Sequence, residues 1–257
     1  MRPRLTDRRP PELVVYDSTH ECPYIDGQRA RLPMRLPTRE LRGWELDLRL
    51  AEGDRRHGAF LYRPTCPACR SCEPIRLDAL AFPLRRSHRR VLRKGDRAFR
   101  MEIGEPKADR TRLDLYEKHK RGRHLVTGSG EPLDLKGYEG FLVDRCVRSF
   151  EVRFYAGDTL AAVAVTDQGA AALSAVYCFW DPAFASLSPG TYSILKHLEL
   201  AREWNARFLY LGLYVEENEH MRYKARFVPH ERLVGGRWQR FEVDVTSAPT
   251  SGDEGSG

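Results

Sequence analysis

The clearest hydrophobic pattern in the chain begins at Ser149. The segment FEVRFYAGDTLAAVAVTDQGAAALSAVYCFW carries its apolar residues in three short runs, which is typical of β-strands. Gly-Asp at residues 157–158 and Asp-Gln-Gly at residues 167–169 separate the runs and favour tight turns. The pattern therefore predicts three consecutive strands.

A helix and a further strand are predicted next, in SPGTYSILKHLELAREWNA and RFLYLGLYV. Ser188 is placed to cap the helix, and Pro189 suits its first turn. Ile194 and Leu198 then recur on one face. The run at residues 207–215 is almost entirely apolar, as expected of a buried strand. This order of elements predicts an α/β (α+β) fold with a mixed sheet.

The chain before Ser149 has a more broken pattern. Pro and Gly interrupt residues 13–80, where only short strand-like runs remain, whereas KADRTRLDLYEKHKRGRH contains good helix formers. We expect a small cysteine-rich N-terminal domain with a basic arm over residues 1–95 and a mixed-sheet domain over residues 96–247. The Gly/Ser/Asp-rich residues 248–257 are predicted to form a disordered tail.

Charge is distributed unevenly along the chain. The formal net charge is +7, yet residues 81–124 alone contain 15 Lys and Arg against 6 Asp and Glu. Such a basic block favours a polyanionic partner, most simply nucleic acid, although a solvated arginine-rich face is the alternative. No apolar run approaches the roughly 18 residues of a membrane span, and the N-terminus lacks the apolar core of a signal peptide. A cytoplasmic protein with no membrane partner is therefore expected.

Cysteines supply the first candidate chemistry. Cys66, Cys69 and Cys72 stand at two-residue gaps in YRPTCPACRSCEP, and Cys22 lies upstream in HECPYIDG. Thiolates are soft metal ligands, and C-x-x-C spacing lets both sulfurs of one turn reach one metal ion. The four cysteines are therefore candidate ligands of a structural zinc ion or an iron–sulfur cluster.

Other interpretations of the cysteines stay open. His20 or His57 could replace Cys22 as the fourth ligand, and free thiols in a tight loop are a second alternative. A disulfide or a redox pair is disfavoured because cytoplasmic thiols stay reduced. Cys146 and Cys178 lie in apolar runs and are expected in the core.

Four segments carry a resemblance to a known family: HECPYIDGQRARLPMRLPT, RRHGAFLYRPTCPACRSCEPIRL, AVYCFWDPAFASLSPGTYSILKHLELAR and YLGLYVEENEHMRYKARFVPHERLVGGRW. They closely resemble the aminoacyl-tRNA–protein transferases, which comprise the arginyltransferases and their bacterial aspartate/glutamate leucyltransferase relatives. The combination of G-T-Y-S-I-L-K, Y-L-G and M-x-Y-K-x-x-F-x-P is specific to them. One departure is Leu213, which takes the place of the aromatic residue common after Y-L-G.

The resemblance implies a transfer of leucine or arginine from charged tRNA to the α-amino group of proteins that begin with Asp or Glu. Such modified proteins would then be degraded by the N-degron route. The implied fold of the C-terminal part is similar to that of acetyltransferase-like aminoacyl transferases. No cofactor would be required, because the aminoacyl ester is already activated.

Side chains have three tasks in such a reaction. Alignment and stabilisation of the reacting groups could use aromatic surfaces and the start of a helix, and the candidate catalytic residues are Tyr177, Gly190, Thr191 and Tyr192. A terminal carboxylate needs cations and donors, and the candidates in MRYKARF are Tyr223, Lys224 and Arg226. Phosphates and the terminal adenosine need positive charge and stacking, and the candidates are Arg85, Arg86, Arg89, Arg90, Arg93 and Trp180.

Two alternative functions remain at this point. A non-catalytic RNA-binding protein would show the same basic block, and a coenzyme A-dependent acyltransferase would show the same strand–helix order. The chain lacks an obvious Gly-rich phosphate loop, which disfavours the second alternative. We expect a monomer, and the sequence alone does not decide between leucine and arginine.

Overall fold

The structure, a computed structural model, describes residues 4–125 and 132–243 of the 257-residue chain. An eight-stranded sheet and a five-stranded sheet account for most of its strands. The mixed α/β class predicted from the sequence is confirmed, because the three strands, the helix and the following strand all form where the pattern placed them. The predicted tail at residues 248–257 lies outside the described residues.

The larger sheet mixes the two strand orientations. In spatial order its strands are β15 (Arg237–Phe241), β14 (His230–Val234), β8 (Glu73–Asp78), β13 (Phe208–Tyr214), β12 (Ala172–Trp180), β11 (Thr159–Gln168), β10 (Ser149–Ala156) and β9 (Arg100–Gly104). Of these neighbouring pairs, β12 and β13 run parallel and the others antiparallel. A parallel pair needs a crossover, which is the long helix α5 (Pro189–Glu203).

The smaller sheet is built from the Pro- and Gly-interrupted N-terminal region. Its strands, in spatial order, are β1 (Arg4–Leu5), β2 (Glu12–Tyr16), β5 (Met34–Pro37), β7 (Phe60–Tyr62) and β6 (Arg55–His57). A separate hairpin pairs β3 (Thr19–Glu21) with β4 (Arg29–Arg31). The short strands fit the broken hydrophobic pattern of this region.

Helices cover both faces of the larger sheet. Besides α5 they are α1 (Gly43–Ala51), α2 (Arg86–Ala98), α3 (Arg110–Gly122), α4 (Leu135–Tyr138) and α6 (Glu219–Arg222). A π-helical turn forms at Glu139–Val143, and 3₁₀ turns form at Pro182–Leu187 and Tyr223–Arg226. None of the helices seen in residues 4–125 and 132–243 has the length and apolar character needed to cross a membrane.

β11 is apolar at successive positions because both of its faces are covered. Ala162 and Ala164 belong to the core beneath α2 and α5, whereas Val163 and Val165 belong to the core beneath α3 and α4. Because successive side chains of a strand point to opposite faces, a strand covered on both sides needs apolar residues at every position. Small alanines on one face leave room for the bulky side chains of α5.

The start of α5 differs from the expected cap. Pro189 begins the helix as predicted, but Ser188 adopts a left-handed backbone conformation with φ of 54°. Its side chain makes no capping hydrogen bond. Ser188 therefore turns the chain out of the preceding 3₁₀ turn rather than binding the first N–H groups of the helix.

One strand from the N-terminal region lies inside the larger sheet. β8 pairs with β13 on one side and with β14 on the other. Residues 1–95 thus contribute both the whole smaller sheet and an interior strand of the larger one. The domain boundary predicted at residues 95–96 falls within α2. Residues on both sides of that boundary contribute strands to the larger sheet.

Candidate active site

The parallel pair at the centre of the larger sheet separates part of the way along. Its ladder joins residues 172–174 of β12 to residues 208–210 of β13 and stops there, although both strands continue. Residues 175–178 of β12 are half-buried, unlike most of the neighbouring β11. We call the space between residues 175–178 and residues 211–213 the interstrand opening.

A β-bulge marks the same place on β12. Thr166 of β11 pairs with Ala175, and Val165 pairs with Tyr177, so Val176 has no partner of its own. A bulge bends its strand and redirects the neighbouring side chains, and bulges are common beside active sites. Here the bulge lies where β12 separates from β13.

Gly212 lies opposite the bulge, on β13. Its φ of +86° is in the left-handed region, which strongly favours glycine. A methyl group added to it would lie 3.4 Å from Arg55 Nη2 and 3.6 Å from Lys224 Nζ. The absence of a side chain thus leaves room for two cationic groups in the interstrand opening.

Arg55 enters the opening from β6 of the smaller sheet. Its side chain is buried, and its Nη2 donates a hydrogen bond of 3.2 Å to Ala175 O. Its Nη1 is buried as well and has no hydrogen-bond partner among the described residues. Sequence reasoning did not select Arg55, because nothing local distinguishes it from Arg56, which forms an ordinary ion pair with Asp167.

Lys224 approaches from the opposite side, on the 3₁₀ turn Tyr223–Arg226. It is buried, and its Nζ donates a hydrogen bond of 2.5 Å to Leu213 O. Burial and the nearby charge of Arg55 lower the pKa of Lys224 to about 7. The predicted acceptor-binding lysine is therefore part of the interstrand opening, while Arg226 of the same turn is exposed.

Two tyrosines complete this side of the opening. Tyr177 packs against Tyr116 of α3, with ring centroids 5.7 Å apart. Burial and the neighbouring Cys178 raise the pKa of Tyr177 to about 12, so its hydroxyl stays protonated near neutral pH. Burial and the neighbouring Cys178 raise the pKa of Tyr223 to about 12 as well.

A second group of predicted residues meets at the end of β12. Trp180 Nε1 would lie 3.6 Å from a methyl group on Gly190, and Thr191 is half-buried beside it. His119 of α3 holds Trp180 in place, because its Nδ1 lies 3.1 Å from Trp180 O and 3.2 Å from Trp180 N. Burial lowers the pKa of His119 to about 4, so the ring is neutral.

Tyr192 is not part of this group. Only 1% of it is exposed, and its ring packs against Phe99 and Phe154 in the core. Its hydroxyl donates a hydrogen bond of 2.9 Å to Asp96 of α2. Its backbone N–H donates within the helix to Ser188 O and is therefore not free for a ligand. Its surroundings give Tyr192 a packing role between α5 and α2.

The predicted tRNA-binding arginines lie on one helix. Its inner face is buried: His88 stacks on Phe227 with centroids 5.7 Å apart, and Gly95 lies against Tyr192. The five predicted arginines, Arg85, Arg86, Arg89, Arg90 and Arg93, are all exposed and form no ion pair with a described residue, and the same holds for Lys94 and Arg97. The basic segment is therefore an ordered helix, with an uncompensated cationic face beside α5.

Comparison with known proteins identifies the family. Residues 20–90 match the model of "Arginine-tRNA-protein transferase, N terminus", and residues 111–234 match "Arginine-tRNA-protein transferase, C terminus". The chain belongs to this transferase family. The predicted family membership is thereby confirmed, and both family segments contribute to the interstrand opening through Arg55 and Lys224.

Curated relatives of the chain include proteins named aspartate/glutamate leucyltransferase. The chain is 38% identical to that of Halorhodospira halophila over 225 residues, which cover 87% of this chain and 94% of the relative. It is 35% identical to that of Aeromonas hydrophila, over 87% of this chain and 92% of the relative. The transferase thus matches its relatives over nearly their whole length.

Two solved structures show weaker likeness to the transferase. One is FemX, with 9% identity and a TM-score of 0.43, covering 77% of this chain and 79% of that one. The other is the C-terminal domain of a putative lysylphosphatidylglycerol synthetase from Agrobacterium fabrum, with 13% identity and a TM-score of 0.45, covering 61% and 50%. At these TM-scores neither carries weight for the function of the transferase.

The four predicted metal ligands of the transferase lie near one another without forming a metal site. Burial, together with the proximity of Cys22, Cys66 and Cys69, raises the pKa of the Cys72 thiol to about 12. Within the described parts of the chain, no group of three or more ligating side chains is arranged to hold a metal ion. This arrangement does not fit the predicted zinc ion or iron–sulfur cluster, and we assign no reaction step to a metal.

A cavity of about 230 Å³ in the smaller sheet offers no competing site. Arginines dominate its lining, but the buried acids beneath them neutralise most of their charge. Arg35 is 2.7 Å from Asp54 and 3.0 Å from Glu12, and Arg31 is 2.6 Å from Asp17. The cavity is therefore part of a structural ion-pair network.

Proposed function

We propose that this protein transfers leucine from leucyl-tRNA to the α-amino group of proteins that begin with Asp or Glu. The match to aspartate/glutamate leucyltransferases over almost their entire length is the observation that carries this proposal. It favours leucine over arginine, a choice that the sequence motifs alone left open.

The reaction forms an amide bond between the acceptor nitrogen and the leucyl carbonyl carbon. The ester bond to the terminal ribose of the tRNA breaks, the ribose hydroxyl leaves with a proton, and the amine loses one. An α-amino group has a pKa of about 8, so a useful fraction is already neutral near pH 7. Alignment of the two reactants can then contribute on the order of 7–11 kcal/mol.

The interstrand opening offers the groups that such an alignment needs. Lys224 supplies positive charge for an acidic acceptor, and Tyr223 lines the same side. The hydroxyl of Tyr177, which burial keeps protonated, is the proposed donor to the leucyl carbonyl oxygen as negative charge develops on it. Gly190 and Thr191, beside Trp180, are the proposed contact with the terminal adenosine.

The cationic face of α2 is the proposed contact with the tRNA backbone. The five predicted arginines at its N-terminal end are exposed and lack acidic partners among the described residues. Phosphate contacts of this kind depend on charge and on salt concentration rather than on base sequence. The helix packs on α5 through the hydrogen bond between Tyr192 and Asp96, which brings this cationic helix close to the start of α5.

The remaining parts of the proposal concern its cellular setting. We propose a cytoplasmic monomer whose products are degraded through the N-degron route. The reaction as drawn uses an activated ester, so it calls on no cofactor. These points extend the leucyltransferase assignment and are tested separately from it.

A transfer assay tests the proposed function directly. Purified protein is incubated with labelled leucyl-tRNA or arginyl-tRNA and with peptides that begin with Asp, Glu, Arg or Lys. Leucine is expected on the Asp and Glu peptides alone. Arginine on these peptides would reassign the donor, while binding of tRNA without any transfer would favour an RNA-binding protein. Acyl transfer from a thioester without tRNA would favour a coenzyme A-dependent enzyme.

A further inference from the structure

Two buried cations in the interstrand opening have no acidic partner. The described buried arginines that do have one, at 3.1 Å or less, are Arg35, Arg49, Arg56, Arg112 and Arg232. Arg55 and Lys224 are 6% and 8% exposed, and neither forms an ion pair with a described residue. A buried charge without a counter-charge is costly, which is why Lys224 readily loses its proton; an anion bound between the two groups would favour its charged form and offset the charge of Arg55.

The groups around Arg55 do not supply that anion. Asp167 is the carboxylate whose charge acts on Arg55. It is already bound by Arg56 Nε at 2.8 Å and by Ser149 Oγ at 2.7 Å. Tyr62 also faces Arg55, and burial raises the pKa of its hydroxyl, which keeps it neutral. Ala175 O occupies Nη2 but leaves Nη1 unused.

The two cations are close enough to share one ligand. Arg55 Nη2 and Lys224 Nζ both lie within 3.6 Å of the single point that a methyl group on Gly212 would occupy. A carboxylate has two oxygens and accepts charge-assisted hydrogen bonds from an arginine and a lysine at once. A neutral amide of the same shape offers only one acceptor oxygen and no charge.

We propose that Arg55 and Lys224 together bind the side-chain carboxylate of the acceptor's N-terminal Asp or Glu. This assignment rests on the proposed leucyl transfer and specifies which residues select an acidic acceptor. It makes Arg55, supplied by the smaller sheet, a specificity determinant of the reaction in the larger sheet. Gly212 keeps the space between the two cations open.

Matched acceptors test the assignment. We compare kcat/KM for peptides that begin with Asp and with Asn, which differ only in charge and hydrogen bonding, in wild type, Arg55→Gln and Lys224→Gln. A hydrogen bond to a charged group is worth about 1.5–3 kcal/mol, so each substitution should lower kcat/KM for the Asp peptide by about 10- to 150-fold. The Asn peptide should change far less, so the Asp-over-Asn preference should collapse.

Arg207→Gln is the matched control for loss of one arginine. Arg207 lies at the edge of β13, its side chain is 61% exposed, and it pairs with Asp78. This variant should keep the wild-type preference for Asp. The dissociation constant for leucyl-tRNA, measured in parallel, should be the same in all four proteins.

The alternative is that Arg55 only supports the sheet through Ala175 O. In that case Arg55→Gln would lower kcat/KM equally for both peptides and leave the preference intact, which would overturn the proposal. Wild type that fails to transfer leucine at all would instead refute the proposed function, so the two failures are distinguishable.

A measurement on wild type covers the case in which Arg55→Gln does not fold. The side-chain carboxyl of the N-terminal Asp is labelled with ¹³C and titrated free and bound to the enzyme. Two neighbouring cations should lower its pKa by about 1–3 units on binding. An unchanged pKa would place the carboxylate elsewhere and reject the proposed site.

Discussion

Gly95 of α2 lies directly against the ring of Tyr192 of α5. A methyl group on Gly95 would fall 2.3 Å from two carbon atoms of that ring. The Tyr192 hydroxyl donates a hydrogen bond to Asp96, the residue after Gly95. Glycine at this position therefore sets how closely the basic helix packs on the helix that begins at the candidate active site.

Substitution Gly95→Ala should separate the two helices. Overpacking of this kind costs about 1–3 kcal/mol, which chemical denaturation would measure as a lower midpoint. Gly140→Ala is the control, because its added methyl group would lie 3.9 Å from the nearest atom, Asp144 Oδ2. Equal midpoints for the two variants would contradict the close packing described here.

The cationic face of α2 should control tRNA affinity through charge alone. Replacing Arg86, Arg90 and Arg93 with Ala should weaken tRNA binding and reduce the slope of log affinity against log salt by about 0.7–0.9 per lost phosphate contact. Fluorescence anisotropy at several salt concentrations measures both quantities. The control replaces Arg110, Arg207 and Arg240, which are exposed but ion-paired. A control with the same loss of slope would mean that overall charge, rather than α2, is responsible.

Two tyrosines fifteen residues apart should respond differently to loss of the hydroxyl. Tyr192→Phe removes the hydrogen bond to Asp96 and should cost about 1 kcal/mol of stability with little change in kcat. Tyr177→Phe removes a donor from the interstrand opening and should lower kcat by about 10²-fold with little change in stability. Single-turnover transfer and thermal unfolding distinguish the two effects. The reverse outcome would restore Tyr192 as the catalytic candidate.

Because the pKa of Lys224 is lowered in the folded state, its contribution to the free energy of unfolding should depend on pH. The folded state holds this lysine with a pKa of about 7, against 10.5 when unfolded, so between these values the unfolded state binds more protons. The free energy of unfolding contributed by Lys224 should therefore rise with pH from about 7 to 10.5, by at most about 1.4 kcal/mol per pH unit.

A comparison with Lys224→Met isolates this effect from other titrations. The variant should be more stable than wild type near pH 7, and the gap should narrow as the pH rises. Cys72, which also faces Lys224, has a pKa of about 12 and stays neutral over most of this range, while Arg55 stays charged. A stability gap that is constant with pH would show that Lys224 is not buried in the folded state.

The cysteine cluster should contain no bound metal, and its buried Cys72 should be a protonated thiol. Protein purified under reducing conditions is expected to contain no stoichiometric zinc or iron, and burial should make Cys72 slow to alkylate at pH 8. Metal analysis and mass spectrometry of alkylated protein measure these properties. Stoichiometric metal that disappears in Cys66→Ser would instead support the metal site predicted from the cysteine spacing.

The sequence predicts the parts of this fold whose signals are local. The strands of residues 149–180 and the helix that begins at Pro189 follow from periodicity and turn residues, and they form as predicted. The insertion of β8 between β13 and β14 depends on pairing over more than 130 residues, which no local pattern encodes. Domain boundaries drawn from composition therefore differ from the boundaries of the sheets.

The residues of the candidate site also divide into those that a local sequence signal identifies and those that only the structure reveals. Lys224, Tyr177 and Gly190 were selected from short motifs, and the structure places them at the interstrand opening or at the start of α5. Arg55 lies in no such motif. Only the three-dimensional structure shows that this buried arginine has no acidic partner among the described residues, which is the basis of its proposed role. Tyr192 follows Gly190 and Thr191 in sequence, but helical rotation turns it into the core.

Because β8 completes the sheet from within, the N-terminal region is not a detachable adaptor. A chain cut near residue 95 would leave β13 and β14 without the strand between them, and would remove Arg55 from the cleft that it helps to build. The proposed selection of the acceptor by Arg55 and the proposed transfer in the larger sheet therefore depend on one folded unit. Changing the preferred acceptor would require altering both halves of the chain together.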